Sequence, residues 1–167
     1  MPAYCHSAAY EAFAREMPRV EDSTQGLFRA ACAIAQHEYA EADADAAWQA
    51  IGSLASTVIS RVHSSDPQAK IAHLHDVLFD VVGFRGNDED YYNPANSYVP
   101  EVLETHRGIP ITLVLIYKCV AEAIGLEVAG INAPGHFLAS VYCPEPGRTV
   151  MDRKQWMYVD QSKRKRY

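Results

Sequence analysis

The first half of the chain places apolar residues at the spacing of amphipathic helices. The clearest helix begins where Asp66 precedes Pro67, an N-cap followed by proline at the first helical position, and it ends before Gly83. Its apolar residues recur every three or four positions, which indicates one face turned toward a core. Three earlier helices are predicted in the same way: one from Ser7 to about Met17, before Pro18, and two that begin after Ser23 and near Asp43.

A long polar segment, residues 83–100, interrupts this pattern and has neither a helical nor a strand period. Connections of this length inside a compact domain are usually functional or disordered. Disordered segments are poor in aromatic residues, so the composition favours a packed loop. The aromatic residues of the segment are Phe84, Tyr91, Tyr92 and Tyr98.

The last third of the chain combines short helices with strands. Pro100 opens a short helix, and Pro110 opens a longer one that ends before Gly125. Because helices come first and strands last, the order predicts an α+β fold with a helical N-terminal half and a small antiparallel sheet. Alternating apolar residues predict strands at 126–132, 136–143, 149–152 and 156–160.

Length and composition indicate one globular domain. The chain has 167 residues, of which 49% are hydrophobic and 22% charged. It contains no apolar run long enough to span a membrane and no signal peptide at its start, which favours a reducing cytoplasm. The cysteines lack the spacing of a zinc site or a disulfide framework, so we expect free thiols at Cys5, Cys32, Cys119 and Cys143.

Charge is distributed unevenly along the chain. The formal net charge is −6, but residues 148–167 carry +5 and residues 1–147 carry −11. The overall balance argues against a general nucleic-acid-binding protein. The basic residues 163–166 are interpreted as a solvated chain end, with contact to anions as the less favoured alternative.

The histidine and acidic clusters give no convincing metal site. His73 and His75 are two residues apart on a predicted helix and therefore point in different directions. His37 is not followed by a second histidine at zincin spacing. The acidic run at 88–90 does not match a calcium loop. No metal and no organic cofactor are predicted.

The last third also carries a candidate catalytic order. Thr112 lies in the first turn of the helix opened by Pro110, where free backbone amides and the helix dipole stabilise negative charge. His136 begins a strand twenty-four residues later, and a carboxylate follows at Asp152 or Asp160. A nucleophile at a helix start, then a histidine, then an acid is the chain order of papain-like acyl-transfer enzymes of the transglutaminase kind.

Two segments carry a family resemblance: residues 78–126, with the run GFRGN…DYYNPANSY…RGIPIT, and residues 130–142, GINAPGHFLASVY. In these segments the chain resembles bacterial transglutaminase-like core proteins of the SirB-related kind. The resemblance implies a helical lead-in followed by a papain-like core. We therefore expect a single domain, 1–167, with the lead-in at about 1–83 and the core at about 84–167. Members often carry a C-terminal tetratricopeptide-like extension, which we expect this chain to lack.

The nucleophile position departs from that of active relatives. Transglutaminases and related proteases carry cysteine where this chain has Thr112, whose hydroxyl has a far higher pKa than a thiol. Threonine nucleophiles generally use a free N-terminal amine as base, and Thr112 is internal. Cys119 and Cys143 are not placed to substitute. His136 is interpreted as the triad imidazole or as a residual ligand donor, with a strand-start histidine bonded to backbone as the alternative.

Two hypotheses of different classes follow. The first is a non-catalytic module that binds a peptide or protein; the second is an active amide hydrolase or acyl transferase using His136 and Asp160, favoured on its strand context, or Asp152. A purely structural protein is a weaker third. Residues of the loop either line the cleft as binding residues or only hold the loop in place: Arg85, Asn87, Tyr92, Asn96 and Tyr98. No nucleic acid or membrane partner is expected.

Overall fold

The computed structural model describes residues 6–134, 136–143, 156–160 and 165–166. Within these ranges, the side chains of residues 133, 136, 156–160 and 165–166 lie outside the description. The α+β class predicted from the order of elements is confirmed, with helices preceding a small sheet.

Six α-helices form the larger part of the fold. Three of them begin at side-chain caps predicted from the sequence: Ser23 accepts a hydrogen bond from the Gly26 amide, Asp43 from two amides and Asp66 from one. The caps satisfy first-turn amides that have no partner inside the helix. The helices are α1 Ser7–Glu16, α2 Thr24–Ala35, α3 Ala44–Arg61, α4 Pro67–His75, α5 Val99–Thr105 and α6 Pro110–Ala123.

Several short turns refine the predicted helix ends. Pro18 lies inside a 3-10 turn, Met17–Arg19, that follows α1 directly. The fourth predicted helix is continuous to Val81 but changes from α-helix to π-helix over Asp76–Val81. Gly83 then takes a positive φ of 85°, which glycine adopts without the strain of a side chain.

The strands form two sheets. The pair β1 (Arg85–Gly86) and β2 (Arg107–Gly108) is parallel and very short, and the sequence did not predict it. The larger sheet is antiparallel in the order β3–β4–β5–β6. Its strands are β3 Val128–Ala133, β4 His136–Tyr142, β5 Trp156–Asp160 and β6 Lys165–Arg166. The strand predicted at 149–152 lies outside the described residues.

Helix α6 is at the centre of the core. Its residues Ile116, Tyr117 and Val120 are at most 1% exposed, and the helix packs against α3 on one side and against β3 and β4 on the other. The sequence LVLIYKCVA is apolar almost all round, as expected of a helix enclosed by other elements. Helix α6, whose first turn contains Thr112, therefore lies beside the sheet that carries His136.

No helix in the described part of the chain has the length and apolarity needed to cross a membrane.

Candidate functional site

The start of α6 is anchored before the helix begins. Ile109 takes the N-cap position without a side-chain cap, and its amide donates to the Asn96 carbonyl at 3.0 Å. The amides of Thr112 and Leu113 both donate to the Ile109 carbonyl at 3.1 Å. The expectation that first-turn amides stay free is therefore wrong for these two. The Leu113 bond is the first ordinary α-helical bond to the N-cap carbonyl, and the Thr112 bond spans three residues, as in a 3-10 turn.

Thr112 forms part of the wall of an apolar groove with a cavity volume of about 470 Å³. Thr112 is only 4% exposed. The groove lies between α2, the loop before α5, the first turns of α6 and the strands β3 and β4. Its lining consists of Leu27, Ala31, Ile34, Ser97, Val99, Ile111, Thr112, Val114, Leu115, Lys118, Gly130 and Phe137.

Lys118 is the charged residue among those that line the groove, and its charge is compensated. Its ammonium pairs with the Glu122 carboxylate one helical turn later and donates to the carbonyl of Val128 on β3. The other polar lining residues, Ser97 and Thr112, carry hydroxyls. A groove of this composition suits an apolar group, since an apolar ligand would leave no charge unpaired.

The wall on the sheet side depends on a glycine. A Cβ placed on Gly130 would lie 2.8 Å from Cζ of Phe137, closer than real Cβ contacts allow. The absence of a side chain at Gly130 therefore lets the Phe137 ring of β4 lie over β3 and close this side of the groove.

His136 and Asp160, two of the predicted triad residues, lie on neighbouring strands of the larger sheet. His136 begins β4 and pairs with Ala133, and α6 packs directly against β4. Asp160 ends β5, one residue after Val159, which pairs with Ala139. That register puts Asp160 across from residue 138, two residues from His136 on the neighbouring strand. The side chains of His136 and Asp160, and all of Asp152, lie outside the described residues.

The asparagines of the predicted loop hold its backbone in place. Asn96 is 3% exposed and donates from Nδ2 to the carbonyls of Asp90 and Tyr91 at 2.7 and 3.1 Å. Asn87 Nδ2 donates to Asn96 Oδ1 at 2.9 Å. Because the Asn96 carbonyl also accepts from Ile109, this one residue connects the loop with the start of α6.

The remaining predicted loop residues lie at the surface. Arg85 is exposed in β1, and Tyr92 is 92% exposed with its ring edge-on to Tyr91. Tyr98 packs edge-on against Tyr39 and lines a second apolar cavity of about 340 Å³ between α1 and α2. Ile34 lines both cavities, so the Tyr98 cavity lies next to the groove beside Thr112.

The described thiols are not activated. Burial raises the pKa of Cys32 and of Cys119 to about 12, and burial also raises the pKa of Cys143. These cysteines therefore stay protonated at neutral pH, and thiols are poor nucleophiles in that form. Cys119 is 2% exposed and is therefore a core residue.

The sequence reasoning missed two groups of residues around α6. Lys118, Gly130 and Phe137 shape the groove but have no motif of their own, because they come from three different elements. His75, at the start of the π-helical segment, lies 3.0 Å from the Tyr117 hydroxyl, and Phe79 stacks on Tyr117. Within the described ranges no cluster of three metal-ligating side chains occurs.

Comparison with known proteins gives the chain's relatives. The family model described as Transglutaminase-like superfamily matches residues 45–161. A UPF0162 protein of Xylella fastidiosa is 36% identical over 134 residues, which are 80% of this chain and 47% of that protein. A UPF0162 protein of Vibrio cholerae is 28% identical over 83 residues, which are 50% of this chain and 31% of that protein.

A eukaryotic protein also matches. F-box only protein 21 of Mus musculus is 38% identical over 84 residues, which are 50% of this chain and 13% of that protein. The chain spans about half the length of the Xylella fastidiosa relatives that it matches. No solved structure matches the chain.

Proposed function

Because the chain belongs to the transglutaminase-like superfamily, we propose that it uses the groove beside Thr112 to bind a peptide or protein segment without cleaving it. The observation that carries this proposal is the placement of Thr112, a nearly buried threonine in the wall of an apolar groove, at the helix start where active relatives would carry cysteine. We further assign the chain to the SirB-related kind, on the sequence of residues 78–126 and 130–142.

The chemistry of threonine supports binding over catalysis. A hydroxyl is a weak nucleophile without a strong base, and Thr112 cannot use a free N-terminal amine. Its own amide donates to the Ile109 carbonyl, which removes one donor from any oxyanion site at this helix start. The nearest thiol on the same helix, Cys119, is buried and protonated.

The composition of the groove supports a peptide with an apolar side chain. The lining is mostly aliphatic, and its ammonium group at Lys118 is already paired with Glu122. The cavity volume of about 470 Å³ falls in the range of ligand pockets, roughly 300–1,000 Å³. Burial of one large apolar side chain contributes about 1.5–3 kcal/mol.

The loop residues have two roles in this proposal. Asn87 and Asn96 hold the loop against the start of α6, and Arg85, Tyr92 and Tyr98 offer side chains to a bound segment. Tyr98 is the best supported of the three, since it lines a cavity next to the groove, with Ile34 in the wall of both. The free thiols at Cys32, Cys119 and Cys143 fit a reducing cytoplasm, which we include in the proposal together with a single domain of helical lead-in and core.

A paired binding and turnover experiment tests the proposal. Peptides selected from a display library against the folded protein are measured by fluorescence anisotropy with wild type, Thr112→Val and Ala31→Phe. We expect T112V to bind within about threefold of wild type, since it keeps the shape of the threonine. In A31F the phenylalanine fills the groove, so the affinity for the peptides should fall at least tenfold. Ala46→Phe, at an exposed position on α3 outside the groove, is the matched control and should keep the wild-type affinity.

The alternative function is an active amide hydrolase or acyl transferase that uses His136 with Asp160 or Asp152. Family membership favours it. Fluorogenic amide and ester substrates are incubated with wild type and with His136→Ala. Turnover by wild type that H136A abolishes would replace the binding module with the enzyme. Peptides that bind wild type and A31F equally would place recognition elsewhere on the surface.

A further inference from the structure

The outer edge of β3 borders the groove, and some of its backbone N–H and C=O groups have no partner among the described residues. In the sheet order β3–β4–β5–β6, β3 is the terminal strand among the described residues. The Tyr142 amide donates to the Glu127 carbonyl at 2.9 Å, which fixes the hydrogen-bonded pairs of the β3–β4 ladder. Because such pairs alternate in an antiparallel ladder, Val128, Gly130 and Asn132 turn their N–H and C=O groups away from β4.

One end of this edge is already occupied. The Val128 carbonyl accepts a hydrogen bond from the Lys118 ammonium, which agrees with its outward direction. Gly130 and Asn132 are exposed, and within the described residues no group bonds to their outward backbone atoms. The usable edge is therefore the segment from Gly130 to Asn132, and Gly130 also lines the groove.

These features select an extended polypeptide as the ligand. Backbone donors and acceptors on every second residue of an edge strand match those of another extended chain, whose alternate side chains enter neighbouring pockets. A peptide strand at Gly130 would thus direct an apolar side chain into the groove. A second copy of this chain fits less well, because two six-residue strands paired edge to edge bury far less than the roughly 1,200–2,000 Å² of stable interfaces.

Charge complementarity adds a preference for basic residues. Glu127 precedes β3, is exposed and takes part in no ion pair with another described residue. Residues 1–147 carry a net charge of −11. A lysine or arginine of the bound strand placed near Glu127 would therefore be attracted.

We propose that the β3 edge at Gly130 and Asn132 binds an extended peptide as an added strand, with a large apolar side chain in the groove and a basic residue near Glu127. This inference rests on the proposed function and gives it a binding mode and a ligand class.

The test uses a defined probe: an acetylated and amidated heptapeptide of alternating threonine and valine, with a central leucine and a lysine at each end. Its titration into ¹⁵N-labelled protein should shift the amide resonances of Gly130 and Asn132. Single N-methylation of the peptide backbone should weaken binding at least tenfold at every second position. Peptides methylated at the positions between these should bind within about threefold of the unmethylated peptide. Replacing the terminal lysines by glutamates should weaken binding at least threefold at low salt.

Two protein variants complete the test. Asn132→Pro removes the outward amide without removing a hydrogen bond to β4, so it should weaken binding at least tenfold, whereas Asn132→Ala should bind like wild type. The N-methylated peptides give the same information with unaltered protein if N132P does not fold. Glu127→Gln should lessen the preference for lysine over glutamate.

The outcomes separate this inference from the proposed function. Peptide binding that is insensitive to N-methylation and to N132P, but lost in A31F, would overturn the added strand and leave groove binding intact. Strand pairing between two copies of the chain, seen as a dimer that N132P dissociates, would also overturn it. Absence of any peptide binding to the folded protein would overturn both.

Discussion

Replacing Asn96 by alanine tests whether the loop at 84–98 is held by this one side chain. Asn96 is 3% exposed, and its amide group forms three hydrogen bonds: two donated to the carbonyls of Asp90 and Tyr91 and one accepted from Asn87. All three are lost in Asn96→Ala. The groups left behind lie near the surface, and water can reach them after the change.

The expected loss follows from the number of bonds. A hydrogen bond contributes a net amount of about 1 kcal/mol to folding, so N96A should lower the free energy of unfolding by about 2–3 kcal/mol. For a chain of 167 residues that corresponds to a fall in Tm of about 5–10 °C. Asn87→Ala removes one of the three bonds and should lose about 1 kcal/mol. The Asn87–Asn96 bond is lost in either single variant. The double variant Asn87→Ala/Asn96→Ala should therefore lose less than the sum of the two single losses, by about the contribution of that bond.

The assay is urea unfolding followed by circular dichroism, with Tm from calorimetry. Asn93→Ala is the matched control, because Asn93 lies in the same loop but is exposed, and its bonds compete with water. Its loss should stay below about 1 kcal/mol. A loss below about 0.5 kcal/mol for N96A, or equal losses for N93A and N96A, would refute the reasoning. An N96A protein of wild-type stability that no longer bound peptide would instead indicate a direct contact with ligand.

Three further predictions concern residues around α6. Gly130→Ala brings a Cβ within 2.8 Å of the Phe137 ring, so the ring must move and selected groove peptides should bind at least threefold more weakly by anisotropy; unchanged affinity would contradict the role of this wall. Burial raises the pKa of Cys32 and of Cys119 to about 12, so the folded protein holds these thiol protons more tightly than the unfolded chain does. The resulting contribution to the free energy of unfolding is complete below the pKa of an unfolded thiol and is lost as the pH rises toward 12. In urea unfolding between pH 8 and about 10.5, the free energy of unfolding should therefore fall more steeply with pH for wild type than for a variant with both cysteines changed to alanine. Equal slopes against pH would contradict this prediction. Tyr117→Phe removes the hydroxyl beside His75, a buried contact of 3.0 Å, and should cost about 1–3 kcal/mol in urea unfolding, whereas Tyr10→Phe at an exposed site should cost less than about 0.5 kcal/mol; equal costs would count against a buried hydrogen bond.

Features fixed by neighbouring residues could be predicted from the sequence. The caps at Ser23, Asp43 and Asp66 form hydrogen bonds within three residues of themselves, so a short stretch of sequence contains both partners. The break at Gly83 and the strand at 156–160 are local in the same sense. The position of Thr112 at the start of a helix follows from Pro110 alone.

Other features depend on residues far apart in the chain. The 3-10-like bond of the Thr112 amide forms at Ile109, whose own amide is bonded to the Asn96 carbonyl thirteen residues earlier. Asn96 bonds the loop to the start of α6. From the sequence, Asn96 could either hold the loop in place or line the cleft. The sequence placed Asn87, Asn96 and Tyr98 in one loop. Only their contacts showed that the two asparagines hold the loop backbone and that Tyr98 lines a cavity.

The sequence by itself determined the α+β class, the helix starts and the presence of a threonine, Thr112, in the first turn of α6, because these depend on local propensity and residue type. The tertiary structure decided that Leu27, Lys118, Gly130 and Phe137 meet in one apolar groove beside β3, the terminal strand of the sheet among the described residues. No local pattern specifies that meeting. It follows from the packing of α6 between α3 and the sheet, where burial of apolar surface from distant segments sets which side chains become neighbours.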